Sequence, residues 1–416
     1  MAKKLLWVSP FSLHDTSSGA AVQCRIMLEQ LSKSGIAVKV LGSFVFDSPR
    51  GATSYFPNLQ EQIANNKPLY FKDEDSGVEY YYTICKNTAM EQFSYNESWE
   101  LFQYFSMLCN SFRPDIAMGY GTGTGGVAIH AESKRRGIPF VYPICNANHP
   151  YYNFSDCDLL ITESQATSNL YAMRDRLNVL PTGIFINKEK FISKERDPKY
   201  VTIINPCPAK GVSIFAKLAE VAQKELPDVQ FLAVDGRGSF VESLGALHLP
   251  DSDKCPYMPK MFKNVDIASH TGDMRNIYKV TKVLLVPSLA YESWGRVASE
   301  AVLNKIPAIV SANNGGGLQE AMAGMGYALN VPEECIKDHL RIPTDKEIKE
   351  WLDTLKKALK KDFSKEFKKA EQALSIEKST ERLLEILEPL FARGASRNPQ
   401  MILNGILRME YNGGFK

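Results

Sequence analysis

From Val201 onward the chain repeats a pattern that it has already run once. Apolar, strand-like runs at Val201–Ile204, Gln230–Val234, Val265–Ala268, Val283–Val286 and Ala308–Ser311 alternate with helix patterns. The same alternation opens the chain, with Lys4–Val8, a helix pattern through Met27, Leu28 and Leu31, and Val38–Leu41. It resumes with Asp115–Met118, a helix over 126–136, Phe140–Tyr142, Leu159–Thr162 and a short run within 177–183. Uninterrupted apolar strands joined through helices bury both faces of a sheet, which makes the sheet parallel with helices on either side. One core does not grow to the size of this 416-residue chain. The expected fold class is therefore α/β, with two Rossmann-like α/β/α domains in tandem. Two such sheets facing each other would make a cleft at the C-terminal ends of their strands, where open α/β sheets bind ligands.

The polar, lysine-rich stretch 187–199 reads as a linker or the rim of one, so the expected domains are 1–186 and 187–391. Residues 50–110 are less regular, with an aromatic strand candidate at Tyr80–Tyr82 and a helix candidate over 97–110. The tail from about 345 reads as charged helix. Ser379 and Thr380 can cap a helix whose apolar face is Leu383, Leu384, Leu387 and Leu390.

Composition excludes several classes. With 44% hydrophobic and 23% charged residues the chain can build two real cores. Its net charge of +2 argues against a nucleic-acid partner, which usually demands a marked basic excess. No run approaches the roughly 18 apolar residues of a membrane span, and the apolar run after Lys3-Lys4 is too short for a signal peptide. A cytoplasmic protein is expected, with contact at the inner face of the membrane and the oligomeric state left open. The eight cysteines form no C-x-x-C pair, so they read as buried reduced thiols.

The chemistry concentrates in 287–320, "PSLAYESWGRVASEAVLNKIPAIVSANNGGGLQE". The order is strand end, loop, helix, strand, glycine-rich loop, helix. A helix starting near Gly295 points free backbone N–H groups and its positive dipole end at whatever lies before it, which suits a phosphate. Gly295 lets that ligand approach the backbone closely. Glu292 stands just ahead of the helix and Glu300 one to two turns inside. Carboxylates accept from vicinal hydroxyls such as those of a sugar. The two need not share a face, because eight residues turn about 80° out of register. They would bracket an extended ligand.

This segment resembles the donor-binding signature of retaining GT-B glycosyltransferases of the large E-x7-E family, similar to glycosyltransferase family 4. The match runs through Pro287-Ser288, Glu292, Trp294-Gly295, Glu300-Ala301, Ile306-Pro307 and Gly316-Gly317-Leu318-Gln319-Glu320, with Asn304-Lys305 where glycine is usual. More thinly, Thr16–Gln23 resembles the N-terminal glycine loop, with Gly19 kept. "DLLITES" (158–164) resembles the family's A-D-x-x-I-x-x-S strand, and Lys210-Gly211 its K-G pair. One departure stands out. The family carries an arginine about six residues before the lysine, and here that stretch reads Ile203-Ile204-Asn205-Pro206.

The resemblance implies a GT-B fold whose C-terminal helix, about 392–416, crosses back to the first domain. It implies a retaining, metal-independent transfer of a hexose-type sugar from a UDP- or GDP-sugar to a glycan, glycoprotein or glycolipid acceptor, with no cofactor required. By the same resemblance Glu292 contacts the transferred sugar, Lys210 the diphosphate and Glu300 the ribose. The amides from Gly295 through Arg296 to Val297, next to Trp294, take the phosphates. Ser269, His270, Thr271 and Arg275 lie near the base, and His149 near the donor sugar, with His14 as an alternative. Arg237, Arg275 and Arg296 are the candidates to replace the missing arginine.

Two other readings stay open. The departure fits a nucleotide-binding GT-B partner subunit without transferase activity. "GYGTGTGG" (119–126) satisfies G-x-G-x-x-G after a strand, which would suit an NAD(P)-dependent oxidoreductase. The following strand, however, lacks the acidic residue that fingerprint needs. Asp156-Cys157-Asp158 is a D-x-D, read here as a turn and cap. No cluster has metal-ligand spacing, so no metal site is expected.

Overall fold

The computed structural model describes residues 2–52, 61, 64, 65, 68–86, 88–121, 123–150, 154–252, 254–314 and 316–396. The apolar runs of the first half become β1 (Lys4–Val8), β2 (Ala37–Ser43), β3 (Leu69–Lys72), β4 (Glu79–Thr83), β5 (Ile116–Met118), β6 (Phe140–Ile144), β7 (Leu159–Thr162) and β8 (Val179–Pro181). They form one sheet in the order β3-β4-β2-β1-β5-β6-β7-β8. Only the β3–β4 pair is antiparallel, and every other neighbouring pair is parallel. The second half gives β9 (Tyr200–Ile204), β10 (Gln230–Val234), β11 (Val265–Ala268), β12 (Thr281–Val286), β13 (Ala308–Ser311) and β14 (Gly326–Leu329). These make a wholly parallel sheet, β11-β10-β9-β12-β13-β14.

Period-two alternation shows why the second sheet is apolar on both faces. Val201, Ile203, Val283 and Leu285 point into one core with Phe215 and Trp351. Leu284, Val286, Ala308 and Val310 point into another with Ala298, Val302 and Leu318. In the first sheet Leu6, Val8, Ala117, Phe140 and Tyr142 pack with Leu101 and Phe105 of helix Tyr95–Ser111. That helix starts in a capping box, Ser94 with Glu97, as does helix Asp345–Ala358 through Thr344 and Glu347.

The chain divides into two compact units, but not at one point. The first comprises residues through Thr162, Tyr171–Thr182 and the chain from Glu377; the second comprises Glu163–Leu170 and Gly183–Ile376. The stretch 187–199 is therefore no free linker. It lies in the second unit and is tied down there, because Asn304 bonds Ser193 N–H and Phe191 O (2.8 and 3.0 Å), and Arg196 bonds Thr281 O at 2.8 Å. Nor do Ser379 and Thr380 cap a helix. They sit inside helix Ile376–Ser396, both buried, and the helix starts before them.

Within the first unit that helix buries Leu383, Leu387 and Phe391. It pairs Glu388 with Lys3 and Arg393 with Asp158, and donates from Arg382 to Thr182 O at 3.0 Å. The expected crossing helix at 392–416 lies mostly outside the described residues. Among the described residues no helix is long and apolar enough to cross a membrane. All eight cysteines are free thiols, four buried and four half-buried.

Candidate functional site

The second sheet reverses direction between β9 and β12: from β9 the chain builds outward through β10 to β11, and from β12 through β13 to β14. Such a switch point opens a crevice at the carboxyl ends of the two strands. The loop after β9 carries Lys210 and the loop after β12 carries Glu292. The structure brings them together, with Lys210 Nζ bonded to Glu292 Oε1, an oxygen that also accepts from Ser288 Oγ at 2.7 Å. Their side chains are 28% and 13% exposed, so the pair can be reached. Backbone bonds fix both loops, since the amides of Leu289 and Ala290 donate to Ala209 O at 3.0 and 3.1 Å.

The glycine-rich loop explains how Glu292 is held. Gly317 N–H donates to Glu292 O at 2.9 Å. A Cβ on Gly316 would come within 2.3 Å of Glu292 O, and one on Gly317 within 2.2 Å of Ser293 O. Only glycine lets this loop lie on the backbone of the glutamate. Gly315, the first of the triplet, is outside the described residues.

Helix Arg296–Leu303 begins at Gly295, whose φ of 92° and ψ of 59° are left-handed. Glu300, one turn in, is enclosed by the protein. It is 3% exposed. Tyr278 donates its hydroxyl to Oε2 at 2.6 Å and Arg296 Nε pairs with Oε1 at 2.7 Å. Burial pushes its carboxyl above the ordinary range, against the pull of Arg296 and Tyr278. Arg296 also donates to Phe185 O at 2.8 Å and lies over the Phe191 ring. Its guanidinium is thus held by Glu300, the Phe185 carbonyl and the Phe191 ring. Trp294 is likewise a core residue, 9% exposed, with its indole N–H donated to Ser299 Oγ at 2.8 Å. Val297 packs against the same core.

The remaining second-unit candidates follow β11 at the sheet's edge. Ser269 is exposed, His270 and Thr271 are half-buried, and Thr271 Oγ1 caps a turn by accepting Asp273 N–H at 3.1 Å. Arg275 is exposed and gripped by Asp273 at 2.6 Å, which holds that carboxyl below its usual value. In the Ile203–Pro206 stretch, which lacks the family's arginine, Asn205 adopts a left-handed φ of 61° and spends its side-chain oxygen on Gly238 N–H at 2.9 Å. Arg237, next to Gly238 in the loop after β10, is exposed.

In the first unit, Gly19 opens helix Gly19–Lys33 behind the cap Ser18, with open space where a side chain would go. His149 is half-buried. Its backbone N–H donates to Tyr171 Oη at 3.2 Å and its carbonyl accepts from Arg174 at 3.1 Å. Burial first, then the Arg174 charge, pushes its imidazole down to about 4, so it is neutral at physiological pH. His14 is buried against Tyr82, with Nδ1 2.7 Å from the phenol oxygen. In the 119–126 run, helix Gly123–Arg135 begins three residues earlier than the sequence pattern suggested, and Gly121 N–H donates to Tyr142 Oη at 3.3 Å. Asp156 pairs with Lys134, and Asp158 accepts Phe140 N–H at 2.8 Å. The D-x-D is thus spent on the protein's own structure. Among the described residues no group of three or more His, Cys, Asp or Glu could hold a metal ion.

Ser288 and Tyr278 complete the surroundings of the two glutamates, and neither was given a role from sequence. Ser288 had a signal, because it belongs to the Pro-Ser pair of the signature. Tyr278 had none.

No family model matches the chain, and no curated protein matches it. Solved structures do. The chain is similar to sucrose-phosphate synthase from Thermosynechococcus elongatus (TM-score 0.65, 14% identity, 94% of this chain and 99% of that one). It is similar to a glycosyltransferase from Rickettsia africae (TM-score 0.61, 11% identity, 94% and 98%). It is also similar to Anabaena HepE, solved in complex with UDP and glucose (TM-score 0.60, 15% identity, 93% and 100%). The chain has the two-domain α/β fold of these GT-B glycosyltransferases.

Proposed function

We propose that the protein is a retaining glycosyltransferase that moves a hexose-type sugar from a UDP- or GDP-sugar to a hydroxyl of a glycan, glycoprotein or lipid-linked acceptor. The observation that carries this reading is the Lys210–Glu292 pair at the switch point of the second sheet, one residue pair ahead of a helix whose N-terminus faces the same end. A nucleoside diphosphate has what this arrangement receives: charge for Lys210 and the helix-mouth amides, and sugar hydroxyls for Glu292. The likeness to HepE, solved with UDP and glucose, supports the donor class.

In this reading Glu292 exchanges Lys210 for the donor. Its carboxylate accepts from the transferred sugar, and the freed ammonium neutralises the leaving diphosphate, so no metal is needed. The acceptor hydroxyl attacks on the face from which the nucleotide departs, and the departing phosphate takes its proton. No protein nucleophile enters. Catalysis is positioning and electrostatics. Neutral His149 suits a hydrogen-bond partner of a sugar hydroxyl rather than a cation.

The test is a panel of UDP-, GDP- and ADP-sugars, read first by thermal shift and then by turnover. Lys210→Ala should lower kcat by about a hundredfold or more, the scale of losing one charge stabiliser of a transition state. If that variant kept full donor hydrolysis and transfer, the reading would fail. One observation favours a second reading, a nucleotide-binding partner subunit: the stretch Ile203–Pro206 holds no arginine, and its Asn205 is bonded to Gly238 N–H. A thermal shift without turnover across the panel would select it.

A further inference from the structure

Two motifs of the sequence were left without a role, the "DLLITES" strand end and the glutamate of the G-G-x-x-E run. They meet in the second unit. Glu320 accepts the backbone N–H groups of Gln165 and Ala166 at 2.9 and 2.8 Å, one on each oxygen. These are the first two residues of helix Gln165–Asp175. A carboxylate there satisfies open amides and the positive dipole end at once. Residues 163–170 come from the first half of the sequence, yet they are built into the second unit.

The anchored segment delivers Thr167, which is 0% exposed. Its Oγ1 donates to Ser293 O at 3.2 Å, lies 3.2 Å from Tyr291 Oη, and accepts from Ser164 Oγ at 2.9 Å. The hydroxyl's single proton goes to Ser293 O, so the Tyr291 hydroxyl donates to Thr167. All three hydrogen-bonding positions of the threonine are then used. Tyr291 and Ser293 are the two neighbours of Glu292. One buried hydroxyl from a distant segment thus holds the Tyr291 side chain before the candidate catalytic residue and the Ser293 carbonyl after it, while Gly317 N–H holds the Glu292 carbonyl.

We propose that Thr167 is a positioning residue for Glu292, with Glu320 fixing the helix start from which it acts. The inference rests on the glycosyltransferase reading above. It concerns sugar placement rather than nucleotide affinity, because the clasp acts on the Glu292 loop and not on the helix mouth.

The experiment compares Thr167→Val and Thr167→Ser with the wild-type protein on whichever nucleotide sugar the panel identifies. Valine keeps the shape and the backbone bond to Ser164 Oγ but loses every bond of the hydroxyl; serine keeps the hydroxyl. Thr167→Val should lower kcat about tenfold to a hundredfold, the scale of a misplaced catalytic group, with donor KM changed less than about threefold. Affinity for UDP alone, or GDP if that is the donor nucleotide, should not change. Thr167→Ser should return kcat to within about twofold. A wild-type kcat in Thr167→Val overturns the inference. So does a loss that serine does not rescue and that falls equally on nucleotide affinity and thermal midpoint, because the threonine is then merely structural. A wild-type protein that turns over no nucleotide sugar overturns the glycosyltransferase reading, and the inference falls with it.

Discussion

Glu300 shows how differently two glutamates of one motif can be used. Glu292 has a reachable carboxylate with a cation beside it, whereas Glu300 is enclosed with Arg296 and Tyr278. Glu300→Ala would leave the Arg296 guanidinium buried without its counter-charge, a loss of about 3–5 kcal/mol for broken buried pairs. Urea denaturation would measure it. Glu300→Gln isolates the titration. Burial raises the folded carboxyl above its usual value, so the folded state holds the proton more tightly than the unfolded chain. Stability should therefore fall as pH rises from the ordinary carboxylate range through the raised folded value, and the glutamine variant should lose that slope. Sequence carried part of this. Arg296 and Glu300 stand four apart on one helix, the spacing of a helical ion pair, but the Tyr278 bond spans 22 residues and leaves no local mark. Thr167 was invisible for the same reason, since its partners lie 124 and 126 positions away.

At the scale of elements, the strands best read from sequence are those covered on both sides. β9, β12 and β13 are runs of Val, Ile and Leu because helices pack on both faces. β3 and β14 were missed, and both are edge strands with little fully buried surface. The edge position alone does not hide a strand, because the other two edges, β8 and β11, were read. The helix mouth at Gly295 was legible because glycine before a helix beside a strand end has few other reasons to be there. Gly295→Ala tests it. The residue would have to keep a φ of 92°, with a Cβ 2.1 Å from Leu318 Cδ2. The expected cost is about 1–3 kcal/mol of stability from backbone strain and overpacking. Because the strain relaxes by moving the first turn of Arg296–Leu303, nucleotide affinity should weaken alongside. Denaturation and isothermal titration with UDP would read the two effects.

At the scale of the molecule, sequence periodicity gives two α/β units but not how the chain is shared between them. The chain passes from one to the other after Thr162, Leu170, Thr182 and Ile376. Periodicity reports burial, and burial looks alike whichever core receives the side chain. The last passage makes a prediction. Deleting the chain from Glu377 removes Leu383, Leu387 and Phe391 from the first unit's interior, along with the Lys3 and Asp158 pairs. The cores around β9–β14 are left whole. Hydrogen exchange should show protection lost along β1 and β7 while β9 and β12 keep theirs. Equal loss in both sheets would mean that the two units do not unfold separately.

The shared ownership of residues 163–170 also bears on recombination. A natural or engineered hybrid that joins the first half of one such chain to the second half of another would place its junction near 186, where the halves look separable. That junction would pair the foreign Glu292 loop with a resident Thr167 segment that did not evolve beside it. A hybrid keeping 163–170 with the second half would inherit the clasp intact, at the cost of two additional junctions.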